Sequence, residues 1–278
     1  MSADLRFATL DVFTDTPFCG NPLAVVWDAD DLDDAAMLSV AREFGFSETV
    51  FLQRTEREGC DVRTRIFTPA GELPFAGHPT VGTAVAVGRD RGATALVFDQ
   101  LAGPVAVTVD GGSASFTVDR RVEIGPSDEV PAERIAAMLG LDPTDVVAGG
   151  RKVSVGVGFL MAEVASLDAL ARCRATDTGD VDELYIVCDL GENRWQARMF
   201  APNLGIVEDP ATGSAATAFA GLLALAEPDG EVSWVIHQGV EMGRPSRIDV
   251  TADVSAGRPR WIRVTGDAVV VTEGELHF

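Results

Sequence analysis

Seven residues at 78–84, reading His-Pro-Thr-Val-Gly-Thr-Ala, recur at 209–215 as Asp-Pro-Ala-Thr-Gly-Ser-Ala, 131 residues further on. A second match lies upstream of each copy. Arg65-Ile66-Phe67-Thr68-Pro69 pairs with Arg198-Met199-Phe200-Ala201-Pro202 at a spacing of 133. A strand, turn and helix start repeated at nearly half of a 278-residue chain predict two similar units facing each other. The charged, proline-containing segment 119–131 divides them. The expected domains are 1–121 and 122–278, with room for the last strand to cross back to the first.

Short alternating or β-branched runs dominate both halves. Strands are expected over 6–13, 22–27, 48–53, 61–67, 95–98, 104–109 and 113–118. The second half repeats the texture at 152–164, 183–190, 194–200, 231–238, 247–254, 261–266 and 268–274. Helical spacing appears over 32–44, 131–140 and 166–172, and two more helices are expected to begin at His78 and Asp209. The fold class is α+β and strand-rich, with too few helices for a doubly wound parallel sheet.

Composition narrows the function. Forty-three acidic against 22 basic residues leave a net charge of −21, which disfavours nucleic acid and anionic membranes as partners. Four cysteines without a CxxC and three scattered histidines support neither a metal site nor a disulfide framework. The N-terminus carries no basic segment followed by an apolar core. The longest uncharged stretch, 210–226, is seventeen residues, short of the ~20 that span a bilayer. A reduced cytoplasmic protein is expected. No GxxxxGK[ST], no GxGxxG after a strand, no GxSxG and no HExxH occurs, so nucleotide, dinucleotide, serine-hydrolase and zinc-protease chemistries lack their signatures.

The repeated element has its own chemistry. If Pro79 and Pro210 each open a helix, His78 and Asp209 become the capping residues, and the glycines behind them expose backbone N–H groups. The positive end of each helix then favours an anion. Two such ends turned into one crevice would hold a small carboxylate. Glu48 is the third point of interest. Strand alternation puts it on the face of Phe46, Val50 and Leu52. A carboxylate on an apolar face is desolvated and less acidic, so it can take and return a proton near neutral pH. If Phe51 faces the core instead, Glu48 faces water.

Several ordered motifs resemble those of the PhzF-like isomerases, a family named for phenazine biosynthesis. They are Asp11-Val12-Phe13, Gly20-Asn21-Pro22-Leu23-Ala24-Val25-Val26, Ser47-Glu48-Thr49-Val50-Phe51 and Phe67-Thr68-Pro69. Further along come Glu72-Leu73-Pro74-Phe75-Ala76-Gly77-His78-Pro79-Thr80, Glu208 to Ala215, Gln238-Gly239 and Gly243-Arg244-Pro245-Ser246. The resemblance implies a diaminopimelate-epimerase-like fold, two pseudo-symmetric domains that each curl a mostly antiparallel sheet around a central helix. It also implies an isomerase without cofactor or metal, usually a homodimer. In the family, the glutamate matching Glu48 shuttles a proton, and residues matching His78, Asp209 and Ser214 hold substrate with the backbone of Gly77 and Gly213. Epimerases of the same fold use a cysteine at each helix start, and no cysteine lies near either motif here.

Two functions are therefore weighed. The first is an isomerase or epimerase moving a proton on a small carboxylate substrate, with Glu48 as acid and base. The alternative is a non-catalytic carboxylate-binding or regulatory protein on the same fold.

Overall fold

The computed structural model describes residues 4–126, 129–175 and 177–278. Ser127 and Asp128 of the expected dividing segment lie outside them. The chain forms two compact units, residues 1–117 with 265–278, and residues 118–264.

The first unit holds β1 (Leu5–Val12), β2 (Asn21–Val26), α1 (Asp34–Phe44), β3 (Glu48–Gln53), β4 (Val62–Thr68), β5 (Gly71–Leu73), α2 (Gly77–Arg91), β6 (Ala95–Gln100), β7 (Gly103–Asp110) and β8 (Ser113–Val118). The second holds β9 (Glu123–Ile124), α3 (Ala132–Leu139), β10 (Arg151–Ser154), β11 (Gly158–Glu163), α4 (Leu167–Arg172), β12 (Leu184–Gly191), β13 (Arg194–Ala201), β14 (Ile206–Asp209), α5 (Gly213–Leu223), β15 (Gly230–Gln238) and β16 (Ser246–Ser255). The long β17 (Arg258–Leu276) begins in the second unit and ends in the first.

In the first unit β1 and β2 are antiparallel, β2 and β3 parallel, β3 and β4 antiparallel, β4 and β6 parallel. β6, β7 and β8 continue antiparallel. β17 pairs with both β8 and β1, so the ring of strands closes. Through it runs α2, touching β1, β2, β3, β6 and β7. A helix buried on every side must be small and apolar all round, and every residue from Gly77 to Gly88 is buried. α1 packs outside, its Met37, Val40 and Ala41 set against Phe51 and Phe67.

The second unit repeats this pairing. β10 and β11 are antiparallel, β11 and β12 parallel, β12 and β13 antiparallel, β13 and β15 parallel, β15 and β16 antiparallel. β14 folds back on β13 as β5 does on β4. α5 lies against β10, β11 and β16, buried along most of its length. The same fastening recurs in both units. Arg65 makes a two-pronged bond to Glu72, both arms 2.7 Å, and stacks over Phe67 at 5.1 Å. Arg198 does so to Glu208 at 2.8 and 2.7 Å, over Phe200 at 4.8 Å.

These anchors correct the register of the repeat. Ile66 faces Leu73 where Met199 faces Asp209. α2 starts at Gly77 behind Ala76, and α5 starts at Gly213 behind Thr212. The counterparts at the helix starts are thus Gly77 with Gly213 and His78 with Ser214, 136 residues apart. His78 is the second residue of its helix and not its cap. Asp209 is the last residue of β14, three before the capping position. Pro210 disfavours helical backbone at the residue before it, which keeps Asp209 extended. Around Pro79 that preference is overridden by burial, and in a first turn the missing N–H costs nothing.

Two strand expectations also change. The run 152–164 is a hairpin, β10 and β11, reversing at Val155-Gly156-Val157. The runs 261–266 and 268–274 are one continuous strand. Gly266 reads as a break, yet it marks a close approach: a Cβ there would sit 2.2 Å from the ring of Phe13.

Candidate active site

Glu48 opens β3, beside Leu23 of β2. β3 is buried on both faces. Phe51 packs edge-on to Phe67 beneath α1, and alternation turns Glu48, Val50 and Leu52 the other way. The two sequence alternatives therefore do not exclude each other. Phe51 faces a core, and the Glu48 side chain is still only 15% exposed.

His78, on α2, is buried with its Nδ1 3.2 Å from Oε2 of Glu48. Burial holds its pKa down to about 3, and a hydrogen bond to the Pro22 carbonyl only partly opposes this. The imidazole is therefore neutral at ordinary pH. That matters for its neighbour. An imidazolium at this distance would lock the carboxyl in its ionised form, and the neutral ring brings no such charge. Nε2 of His78 is buried and makes no hydrogen bond among the described residues.

A neutral buried histidine also sets a pH dependence. Its folded pKa of about 3 lies below the unfolded value of 6.5, so the folded state binds fewer protons between them. The stabilisation is fully present above pH 6.5 and is lost as the pH falls towards 3. The expected slope is about 1.4 kcal/mol per pH unit from this one group. Urea melts of the wild type and His78→Asn at pH 7 and pH 5 check it, the variant losing about one proton's worth of the slope.

In the second unit Asp209 is buried at the end of β14. Its Oδ2 accepts a hydrogen bond from the Thr212 hydroxyl. Gln238, fully buried, organises the turn. Its Nε2 donates to the Asp209 carbonyl at 2.8 Å and to Thr212 Oγ1 at 2.9 Å, and its Oε1 accepts from the Thr212 N–H at 3.2 Å. Ser246 Oγ donates to the Pro210 carbonyl at 2.9 Å. Gly213 and Ser214 follow as the first residues of α5. Their N–H groups have no acceptor within the helix, as in any first turn, and present a positive end to an anion.

Gly239 completes this support. Its φ is +74°, and a Cβ would lie 2.5 Å from the Arg244 carbonyl oxygen and 2.7 Å from that of Pro210. Gly239→Ala is expected to cost about 2–3 kcal/mol through strain at this positive φ. Chemical denaturation measures the loss.

Each unit thus assembles its own set, Glu48 with His78 and Gly77 in the first, and Asp209 with Gly213 and Ser214 in the second. Sequence reasoning gave no chemistry to Pro22, Thr212, Gln238 or Ser246. Glycine beside Gln238 and proline beside Ser246 were the available signal. The thiols are poor nucleophile candidates where burial acts: it pushes Cys173 up to about 11 and raises Cys188 as well. His237 is half-buried and its pKa is lowered, chiefly by burial. His277 is exposed, with its Nδ1 2.7 Å from Oδ1 of Asp4. A cavity of about 560 Å³ in the first unit is lined by Arg54, Arg57, Arg63 and Arg65 with Asp30 and Asp99. Arg54, Arg57 and Arg65 are paired with carboxylates there, and none of the candidate residues lines it. Among the described residues no group of three metal-ligating side chains occurs, and no helix is long and apolar enough to cross a membrane.

Residues 10–274 match the model of the phenazine biosynthesis-like proteins. The chain is 40% identical to an uncharacterised isomerase of Mesorhizobium japonicum, over 98% of each chain. It is 38% identical to trans-2,3-dihydro-3-hydroxyanthranilate isomerase of Pseudomonas aeruginosa, over 98% of this chain and 99% of that one. The crystal structure of a PhzF-family phenazine biosynthesis protein from Bacillus anthracis superposes with a TM-score of 0.89 at 26% identity, covering 99% of both. With this fold and these relatives the protein is an isomerase. It belongs to the phenazine biosynthesis-like family, with the PhzF fold.

Proposed function

We propose that this isomerase moves a proton between carbons of a small carboxylate substrate, with Glu48 as both acid and base and with no bound cofactor. Gly77, His78, Asp209, Gly213 and Ser214 hold the substrate, and the α+β chain works as two pseudo-symmetric halves. Supporting this most directly is the Glu48–His78 pair, a shielded carboxyl 3.2 Å from an imidazole that burial keeps neutral. Glu48 takes a proton from an acidified C–H, and the electron pair left behind delocalises into the adjoining unsaturation. The protonated carboxyl, 15% exposed and able to exchange with solvent while the intermediate lasts, then delivers a proton to another carbon, so that nothing is gained or lost overall. Holding the anion in place supplies orientation, and excluding water strengthens each hydrogen bond to the developing charge. The named activity of the Pseudomonas aeruginosa relative makes cyclic hydroxy- and amino-carboxylates the first substrates to try.

A thermal-shift screen of small aromatic and amino-acid carboxylates tests the proposal, each hit being followed by NMR in D2O. Exchange of a substrate C–H for deuterium is expected in hits that bind through Asp209. Asp209→Asn should weaken that binding about tenfold, the worth of a charged hydrogen bond. Tight binding with no exchange in any hit would favour a carboxylate-binding protein and overturn the proposal.

A further inference from the structure

Tyr185 is the only tyrosine in the chain. Its ring is fully enclosed in the second unit, edge-on to Phe219 of α5 with centroids 6.1 Å apart. The hydroxyl makes no hydrogen bond among the described residues. A buried hydroxyl without a partner is destabilising, and phenylalanine would fill the same space without that cost. Packing alone gives no reason for the oxygen.

The strand register supplies one. Tyr185 lies opposite Met199 on β13, and Met199 lies opposite Asp209 on β14. Residues directly opposite share a face, and contact with Phe219 makes this the face of α5. Tyr185 and Asp209 therefore stand at the two ends of one row, with Met199 between them. Burial first, and the charge of Asp209 second, push the phenol well above its usual range, so it stays protonated and can only gain by donating. Asp209 meanwhile accepts from Thr212.

We infer that Tyr185 is a positioning residue for Asp209: its hydroxyl donates to the Asp209 carboxylate when that group turns from Thr212 to a donor on the substrate. This role rests on Asp209 holding substrate, as proposed above. Being the sole tyrosine makes it directly observable, since labelling with 13C at Cζ gives a single NMR line. The line should differ between the free wild type and Asp209→Asn, and should move in the wild type when 3-hydroxyanthranilate, used as a carboxylate probe, is added. Tyr185→Phe should bind the probe about tenfold more weakly, with a thermal midpoint unchanged or raised. An unmoved line, together with wild-type affinity in Tyr185→Phe, would overturn the role of Tyr185 while leaving Asp209 in place. Equal affinity of wild type and Asp209→Asn would instead overturn the reading of Asp209, and the role of Tyr185 with it.

Discussion

Replacing Arg198 with methionine is expected to destabilise the second unit by about 3–5 kcal/mol, the cost of removing one partner of a buried ion pair. Arg198 is 5% exposed and Glu208 12%. Besides its fork to Glu208, the guanidinium donates to the carbonyls of Leu170, Ala171 and Cys173 at 2.9, 3.3 and 3.0 Å. One side chain thus ties β13 to β14 and to the end of α4. Methionine would fill much of the space but leave the buried Glu208 carboxylate without its partner, while the three carbonyls keep only their bonds from the Cys173 N–H and the Arg174 guanidinium. Arg65 is the internal control. It carries the same fork, but its second partner, Asp34, is 81% exposed and screened by water. Arg65→Met should therefore cost less, about 1–2 kcal/mol. Arg198→Met with Glu208→Leu should recover much of the loss, because the unpaired charge is gone. Urea denaturation of these variants decides it, and equal losses for Arg65→Met and Arg198→Met would contradict the burial argument.

Glu48→Gln should lower deuterium incorporation into a bound carboxylate about 10³-fold or more, near the upper range for losing a general acid–base group. Glutamine keeps the size and the contact to His78 but cannot carry the proton. The thermal midpoint should stay close to that of the wild type, so the loss is one of chemistry and not of folding. Glu48→Asp provides a graded test. It keeps the carboxyl but withdraws it by one methylene, a displacement of the kind that costs about 10²-fold. Unchanged exchange in Glu48→Gln would remove Glu48 from the mechanism.

Much of the framework was legible before any coordinates. Alternating or β-branched runs marked most of the strands: β7 and β15 bury one face more than the other, while β2, β3 and β11 are buried on both and show as apolar runs. The Arg-x-Phe match at 65–67 and 198–200 was visible as a repeat, but not the two forks these arginines make, whose acidic partners lie in the short returns β5 and β14. Strands of two to four residues such as β5, β9 and β14 carry too few residues for a period to show. The register of the repeat was misjudged for a physical reason. A proline-containing heptapeptide looks the same whether its proline sits inside a helix, as Pro79 does, or in the turn before one, as Pro210 does. What separates them is a set of contacts distant in sequence: Gln238 and Ser246 holding the turn at Pro210, and the strand ring burying the start of α2. Likewise, alternation alone posed a choice between Glu48 and Phe51 facing inwards. With β3 covered by α1 on one side and turned inwards on the other, both are shielded. The neutrality of His78 follows from burial, and Tyr185 lay in a plain apolar run with no local signal.

Incubating the wild-type protein with trans-2,3-dihydro-3-hydroxyanthranilate in D2O and following the ring carbons by NMR tests the proposed proton transfer most directly. The expected result is conversion to an isomer with its hydrogen relocated and solvent deuterium at the newly protonated carbon. Binding of that compound, with every ring hydrogen left in place and no label gained, would contradict it.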